Sequence, residues 1–344
     1  MFVQQGLQDK VMSVSKWHPS AKNRLIYANG ELHRLPSSIS SVFKKMQPFQ
    51  KPLYYAGLRD IFAKRGPMGD ESIHSFVKRR FGPDVAEYLI DPLVRGICAG
   101  DCREISVNFL LKELKETEMK KKKSKPELAR KAEHEGWSVW SLQGGLETLI
   151  DSMVDHLCNN GTEIKYDTKI TSIELQGKKA RIKMESGEEI ETEQLISAIP
   201  AISLAPLLKK SHPEVSKILE DIKCVTVVAS DNDPPLETFM GTSGRCINGG
   251  YRYQSTTPIE LEEICKFSLS KTLGINEEPH RNSVQILKDS IPQSVGHNGR
   301  VNTIDEIISK ESLPIIVTGA SYKGVSVNDC VLNGIRSAEN LLAR

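Results

Sequence analysis

The sequence predicts a mixed α/β protein, and three stretches of the 344-residue chain favour that fold class. The last thirty residues contain a short β-branched run from Ile315 to Val317, then a glycine-containing loop and a helical pattern. Residues 36–131 have mainly helical periodicity, whereas residues 162–200 contain strand-like runs separated by turns. We therefore expect strands and helices in one chain, with the closing strand-loop-helix unit as a candidate ligand site.

Composition excludes several classes of protein and site. The formal net charge of +2 is too small to favour a nucleic-acid partner. The seven cysteines are scattered and odd in number, and the first residues lack the pattern of a signal or transit peptide, so we expect reduced thiols. Cys98 and Cys102 lie close together, but no second pair or histidine cluster accompanies them, and no metal site is expected. No apolar run reaches the roughly eighteen residues that a membrane-spanning helix needs.

The N-terminal region contains a hairpin pattern. Asn29-Gly30 lies between short apolar runs and supplies the positive φ angles of a tight turn. Arg24 lies just before this hairpin, and its spacing alone is equally consistent with an ordinary surface arginine. The pattern therefore predicts a two-stranded element but leaves the role of Arg24 open.

The helical region contains two segments of interest. Residues 51–62 place apolar and aromatic side chains on one flank, which is typical of a helix on a membrane surface and equally of a helix facing a core. A second helix is predicted from Ser72 to Gly82, where the glycine ends it. Further on, Gly96 and Gly100 allow close backbone approach to a ligand or to another element.

The second half of the chain alternates between helical and strand patterns. A helix is predicted after Gly144-Gly145 and another from Ile259 to about Leu273. Predicted strands cover Thr162–Tyr166, Ile170–Leu175, Ala180–Met184, Gln194–Ile199 and Val284–Leu287.

The closing unit has the features of a ligand-binding turn. Gly319 and Gly324 have P-loop spacing, but Val325-Ser326 stands where a P-loop requires Lys-Ser or Lys-Thr, which disfavours a nucleotide triphosphatase. Asn328 and Asp329 are candidate N-cap residues for the helix that follows. The unpaired amides of that helix predict an anion or carbonyl site. A tight strand-to-helix turn without a ligand fits the spacing as well.

The run GASYKGVSVNDCVLNGIRSA resembles the C-terminal flavin-contacting segment of the protoporphyrinogen oxidase family. Four further segments resemble the same family: HPxxxNRxxYxxGxLHxLP, RGxxAG, GGLExL and xISAIPA. The resemblance implies FAD as cofactor and no metal. It implies that the residues contacting FAD are Ile170 on its adenine side and Ala320, Val325, Ser326 and Val327 near the flavin ring.

The resemblance also implies a substrate site. The matching arginine, Arg24, would pair with a propionate of the tetrapyrrole, because a guanidinium binds a carboxylate bidentately. The backbone around Gly96 would line the cavity over the flavin, with Arg95 beside it. Met240 would be a wall residue of the substrate pocket.

The expected architecture is an incomplete FAD-binding Rossmann-like domain with a helical membrane-contacting domain and a β-rich substrate domain. The resemblance divides the chain into a substrate-domain hairpin region (1–35), a helical membrane-binding domain (36–135), an FAD-domain β-meander portion (136–200), a substrate-domain remnant (201–312) and a C-terminal FAD-binding strand-loop-helix (313–344).

Two parts of the family pattern are missing from this sequence. One is the strand, Gly-x-Gly-x-x-Gly turn and helix that hold the ADP half of FAD, and the other is a group of strands after Val228. We therefore expect a shortened form, and we expect an in-frame exon upstream of Met1 to encode the glycine-rich turn.

The resemblance implies six-electron oxidation of protoporphyrinogen IX to protoporphyrin IX in haem biosynthesis, with dioxygen reduced to hydrogen peroxide. It further implies a homodimeric, monotopic protein on the intermembrane-space side of the mitochondrial inner membrane, with ferrochelatase as a partner. One alternative is an inactive truncated isoform that binds a membrane or a porphyrin. A different flavin amine oxidase is less favoured, because Arg24 and the Arg95-Gly96 segment resemble this family specifically.

Overall fold

The structure is a computed structural model that describes residues 6–18, 25–36, 38–63, 70–98, 101–110, 127–222, 224–233, 244–247, 257–278, 281–292 and 294–342. Its strands are β1 (Val11–Ser15), β2 (Leu25–Ala28), β3 (Glu31–Arg34), β4 (Trp137–Leu142), β5 (Ile170–Gln176), β6 (Lys179–Met184), β7 (Glu189–Thr192), β8 (Leu195–Ser197), β9 (Cys224–Asp233), β10 (Gly244–Ile247), β11 (Arg281–Pro292) and β12 (Ile315–Val317).

Helices occupy most of the remaining described residues. They are α1 (Ile39–Val42), α2 (Tyr54–Ile61), α3 (Ile73–Arg80), α4 (Pro83–Val85), α5 (Asp91–Cys98), α6 (Val107–Leu110), α7 (Glu127–Glu135), α8 (Glu147–Asn159), α9 (Ala201–Leu208), α10 (Pro213–Glu220), α11 (Pro258–Leu273), α12 (His297–Lys310) and α13 (Val327–Leu342). A π-helical turn, Ala86–Ile90, joins α4 to α5. The predicted mixed α/β fold class is confirmed.

The largest hydrophobic core lies between strands and helices of the second half. β5, β6 and β7 form an antiparallel meander, and β8 pairs in parallel with β12. α9 contributes Leu204, Ala205 and Leu208 to this core, and α12 contributes Val301 and Ile304. The core therefore connects the meander to the closing strand, as layered α/β packing requires.

A second core belongs to the helical region. Ser72 accepts a hydrogen bond from the Ser75 amide at 3.2 Å and so caps α3, whose Ile73, Phe76 and Val77 are buried. Gly82 ends this helix region with a φ of +102°, a conformation that suits glycine, as predicted. Searched over the described residues, the helices include none long and apolar enough to cross a membrane.

Three further sheets complete the described structure. β2 and β3 form the predicted hairpin, with Asn29 at φ +54° and Gly30 at φ +88°. β1 pairs with β4, and β9 pairs with both β10 and β11, each time antiparallel. Division of the chain into five domains stays a prediction.

The predicted strand Thr162–Tyr166 is wrong, because these residues have no regular secondary structure. Most of their side chains are exposed, so the segment has no apolar face to bury against a partner strand. Conversely, β7 was not predicted, since its sequence Glu-Ile-Glu-Thr has a single large apolar side chain.

Candidate functional site

The candidate site begins where β8 and β12 end side by side. Their parallel register pairs Ile315 with Leu195 and Val317 with Ser197. The Thr318 amide then donates to the Ser197 carbonyl at 2.9 Å, which extends the pairing by one step. Since parallel strands finish at the same edge, the loops that follow them lie close together.

Gly319 makes the close approach of these two loops possible. Its φ of +96° is strained for any residue with a side chain, and an added Cβ would lie 3.0 Å from the Ala198 carbonyl oxygen. This glycine therefore fixes the direction in which the chain leaves β12.

Three consecutive residues of the loop after Gly319 anchor it, two by burial and the third by a surface ion pair. The Ser321 hydroxyl accepts a buried hydrogen bond from the Ala201 amide at 3.1 Å, which ties the loop to the start of α9. Tyr322 is buried in the main core, where desolvation raises the pKa of its hydroxyl. Lys323 forms an ion pair with Asp305 of α12 at 2.6 Å. The loop is consequently held from two sides.

A buried histidine supports the same loop from α12. The His297 Nε2 atom lies 2.8 Å from the Tyr322 carbonyl oxygen, a distance that fits an N–H donating to this carbonyl. Burial lowers the pKa of His297, Arg300 lowers it further, and the Tyr322 carbonyl and Asp70 act in the opposite direction. The neutral ring is therefore the form that the folded chain favours.

Ser326 is the N-cap of α13, rather than the predicted Asn328 or Asp329. Its hydroxyl accepts from the Asp329 amide at 3.1 Å and donates to the Asp329 carboxylate at 2.6 Å. Gly324, at φ +132°, lies against Asp329, where a Cβ would approach to 2.6 Å. Burial raises the pKa of the neighbouring Cys330 thiol.

The remaining loop residues face outward, and they are the ones that the sequence assigned to flavin. Ala320, Ser326 and Val327 are exposed and Val325 is half-buried. In the first helical turn, the Asp329 and Cys330 amides are bonded to Ser326, and the amides of Val327 and Asn328 precede any intrahelical partner. These two amides point out of the α13 N-terminus beside the small side chains. The arrangement can accept a flat ring and polarise a carbonyl or an anionic edge of it.

The other predicted site residues lie away from this loop in the sequence, and the structure places them as follows. Ile170 begins β5 and packs, half-buried, against the main core. Gly96 lies within α5, one residue after Arg95. Arg24 and Met240 lie outside the described residues. The structure thus brings together the loop residues of the flavin set.

Arg95 is held by an ion-pair network. Its Nε atom lies 2.7 Å from Asp91 Oδ2, and its Nη2 atom lies 3.7 Å from Asp101 Oδ2. Arg103 lies 3.5 Å from Asp91 and 3.4 Å from Asp101, and it also pairs with Glu87 at 2.7 Å. The two guanidinium groups are therefore shared among three carboxylates. A substrate carboxylate would have to compete with these partners for Arg95.

Cys102 joins this network and completes a group with metal-ligating side chains. Its Sγ atom lies 3.1 Å from Asp91 Oδ1, and burial raises the pKa of the thiol to about 12. A protonated thiol and carboxylates already paired with arginine make poor metal ligands. These residues therefore form a structural ion-pair network.

The described residues fit the flavin-ring end of FAD. The α13 N-terminus and its outward loop have the small side chains that such a ring needs, with the Val327 and Asn328 amides beside them. The other strand-to-helix junction described at this edge, from β8 to α9, passes through Pro200, and its Ala201 amide is already bonded to Ser321. Among the described residues, the β8–α9 junction therefore offers no amide site for the diphosphate of FAD.

Sequence reasoning missed the anchors Ser321, Tyr322 and His297. The one signal for Tyr322 is its bulk in a loop otherwise rich in glycine and small residues. His297 is distant in sequence, and only the packing of α12 against the loop identifies it.

Comparison with known proteins gives consistent results. Residues 1–229 match the family described as flavin containing amine oxidoreductase. Protoporphyrinogen oxidase of Bos taurus is 31% identical over 98% of this chain and 82% of its own length. Coproporphyrinogen III oxidase of Bacillus subtilis is 24% identical over 92% of this chain and 78% of its length. A solved structure from Exiguobacterium sp. 255-15 superposes with a TM-score of 0.71 at 20% identity, covering 100% of this chain and 84% of that one.

We expect the Gly319→Ala substitution to destabilise the chain by roughly 1–3 kcal/mol, because it adds a strained backbone and a close contact with Ala198. Gly334→Ala is the matched control. Gly334 lies within α13 with open space around it, so alanine there should stabilise by about 0.5–1 kcal/mol. Urea unfolding of both variants measures the difference, and equal effects would contradict the proposed role of Gly319.

Acid should destabilise the folded chain through His297. The folded-state pKa of His297 lies below its ordinary value. Its contribution to the free energy of unfolding is therefore complete above about pH 6.5 and is lost as the pH falls below that value. Thermal unfolding from pH 8 to pH 5 should therefore show a smaller loss of Tm for His297→Gln than for the unmodified chain. If Tm falls with pH equally in the two proteins, this histidine is not a source of acid sensitivity.

Proposed function

Because this chain belongs to the family of flavin-containing amine oxidoreductases, we propose that it oxidises protoporphyrinogen IX to protoporphyrin IX with dioxygen. The family makes the chain an FAD-dependent oxidoreductase, and its relatives place it among enzymes of porphyrin oxidation in haem biosynthesis. The higher identity to the bovine protoporphyrinogen oxidase than to the Bacillus coproporphyrinogen III oxidase supports the choice of substrate.

The single observation that carries this proposal is the anchored loop before α13. Ser321 and Lys323 tie it to α9 and α12, while Ala320 and the residues from Val325 to Val327 face outward. Such a loop presents a rigid, uncrowded surface with helix amides beside it. A preorganised surface of this kind orients a flavin ring without needing to rearrange.

The chemistry that FAD supplies when bound is acceptance of hydride from the substrate, with electrons passed on to dioxygen and hydrogen peroxide released. The role of the chain's own residues is to orient the flavin ring and to polarise its edge. The α13 N-terminus stabilises negative charge at the ring edge beside it. The Ser326 hydroxyl is occupied by Asp329, so it holds the helix start in place and does not carry protons.

The test loads the purified chain with FAD and supplies protoporphyrinogen IX or coproporphyrinogen III. We expect porphyrin fluorescence and peroxide to appear together, and faster with protoporphyrinogen IX. If the chain prefers coproporphyrinogen III, the proposed substrate is wrong. If it turns over only an amine, the proposed function is wrong.

We expect Ala320→Trp to weaken FAD binding at least about tenfold, since an indole at this exposed loop position would occupy the space of the ring. Ala338→Trp is the control, because Ala338 is also exposed but lies well along α13. Bound flavin absorbance and the FAD-induced rise in Tm provide the measurements. Equal FAD binding by both variants would place the flavin elsewhere.

A second candidate function is a non-catalytic protein that binds a porphyrin or a membrane. It is favoured by one observation: the β8–α9 junction offers no diphosphate cradle among the described residues. A colourless, monodisperse chain that fails to take up added FAD would support this alternative.

We propose that the helical region contacts a membrane surface. α2 has no buried side chain, and Tyr55, Leu58 and Phe62 form an exposed stripe, with Phe62 83% exposed. Lys51 and Arg59 lie beside this stripe around a cavity of about 450 Å³. Apolar side chains flanked by cations suit an anionic lipid surface. By resemblance, this would be the mitochondrial inner membrane on its intermembrane-space side, and the proposed homodimer and ferrochelatase contact belong to the same setting.

The double variant Leu58→Asp/Phe62→Asp should lose most of its binding to vesicles of phosphatidylcholine and cardiolipin, because it places charge on the apolar stripe. Ile150→Asp/Leu157→Asp changes two exposed apolar residues of α8 and serves as the control. Flotation of the vesicles measures binding. If both double variants float as well as the unmodified chain, α2 is not a membrane contact.

A further inference from the structure

Asp70 joins the helical region to the start of α12. Its Oδ1 atom accepts hydrogen bonds from the Ser106 hydroxyl at 2.6 Å and from the Asn108 side-chain amide at 2.8 Å. Its Oδ2 atom accepts from the main-chain amide of Gly296 at 3.0 Å, across 226 positions of sequence. One half-buried carboxylate therefore bonds to two parts of the chain that are distant in sequence.

The start of α12 lacks a local capping group. Gly296 is its N-cap residue, at φ +83°, and has no side chain with which to bond to the first turn. That turn also contains no acidic residue. A carboxylate at a helix N-terminus is stabilising, because it accepts from a main-chain amide and opposes the positive end of the helix dipole. Asp70 therefore supplies from the helical region what the sequence of α12 does not contain.

Main-chain pairing fixes the geometry around this carboxylate. The Val295 amide donates to the Glu104 carbonyl at 3.2 Å, and Ile105 forms an antiparallel bridge with Ser294. Ile105 is buried, so the junction is shielded from water on that side. Hydrogen bonds in such a setting are stronger than in water, and the position of the α12 start is consequently well defined.

From this start, α12 reaches the loop before α13 at two points. His297 follows Gly296 directly, and its Nε2 atom lies 2.8 Å from the Tyr322 carbonyl oxygen. Further along the helix, Asp305 pairs with Lys323 at 2.6 Å. Because a helix is a stiff element, a shift at its first residue displaces its contacts with the loop.

Asp70 also acts on His297 through its charge. Burial lowers the pKa of His297 and Arg300 lowers it further, whereas the Tyr322 carbonyl and Asp70 raise it. These groups face the imidazole from α12 itself, from the loop and from the helical region. The pKa of His297 is therefore a measure of whether the Asp70 carboxylate is in place.

We propose that Asp70 is a positioning residue for the flavin ring. By holding the start of α12, it keeps His297 bonded to the Tyr322 carbonyl and so fixes the outward residues of the loop, 320 and 325–327. Both oxygens of the carboxylate are bonded within the chain, so Asp70 acts through α12 and not on the ring itself. This inference rests on the proposed flavin site.

The first test uses the full chain without FAD. Asp70→Asn keeps the shape of the side chain, but it removes the charge and converts one acceptor into a donor. We expect hydrogen exchange at the amides of Gly296 and Tyr322 to become faster on the order of tenfold. We also expect NMR titration of the imidazole to give a lower pKa for His297, since a nearby negative charge is lost.

Asp84→Asn is the matched control. Asp84 lies in the same helical region at the start of α4, and its carboxylate also accepts from a main-chain amide, that of Gln50 at 2.8 Å. This substitution should leave both the exchange at Tyr322 and the pKa of His297 unchanged. Far-UV circular dichroism checks that both variants are folded.

The second test measures FAD binding by the absorbance of bound flavin. Asp70→Asn should weaken binding about fivefold. In a chain that already carries His297→Gln, the same substitution should add little, because Asp70 acts through His297. Effects of residues that act independently would add. Asp84→Asn should leave FAD binding unchanged in both backgrounds.

Four results would overturn the proposal. The first needs no variant: the Gly296 amide of the unmodified chain exchanges as fast as an unprotected amide. The others concern Asp70→Asn: an unchanged pKa of His297, faster exchange without weaker FAD binding, or an effect on FAD binding that adds fully to that of His297→Gln. If the unmodified chain binds no FAD, the proposed function is wrong, and the exchange and titration measurements still decide whether Asp70 positions the loop.

Discussion

The parallel pairing of β8 with β12 is the constraint on which the rest of the site depends. It brings the ends of two strands that are more than a hundred residues apart in sequence to one edge. From there α9 and α13 leave through adjacent loops, and the hydrogen bond from Ala201 to Ser321 joins those loops. Because both partners are buried, this bond is shielded from competing water. The position of the α13 N-terminus follows from it.

In the loop between β12 and α13, some side chains anchor the loop and others are exposed to a ligand. Ser321 bonds to the start of α9, Tyr322 packs in the core and Lys323 pairs with α12. Residues on either side of them remain outside and small. Flavin oxidation asks the protein for orientation and electrostatic support rather than for a general acid or base. The absence of a catalytic carboxylate or histidine in this loop is consistent with that demand.

Much of this site could be predicted from sequence because its determinants are local. Gly319, Gly324 and the β-branched run before them indicate a strand-to-helix turn, and Asn29-Gly30 indicates the hairpin. The predicted N-cap is wrong because Ser326, Asn328 and Asp329 can each cap a helix, and the choice of Ser326 depends on its spacing from Asp329.

Other features depend on contacts that are distant in sequence. The support of the loop by His297 comes from α12, and the pairing of Arg95 with Asp101 comes from the turn after α5. The helical pattern at the end of the sequence predicts α13, but it does not predict that Asn333 and Ser337 are its buried residues. Which face of a helix is covered is decided by its neighbours, and periodicity alone does not contain that information.

Cys330 has a consequence for the durability of such a site. It lies four residues after Ser326, within the first turns of α13, where an oxidase would generate peroxide. Peroxide attacks the thiolate form of cysteine, and the raised pKa of Cys330 keeps the proton on its sulfur. Burial, which here serves packing, would thus also slow the conversion of this thiol to sulfenic acid.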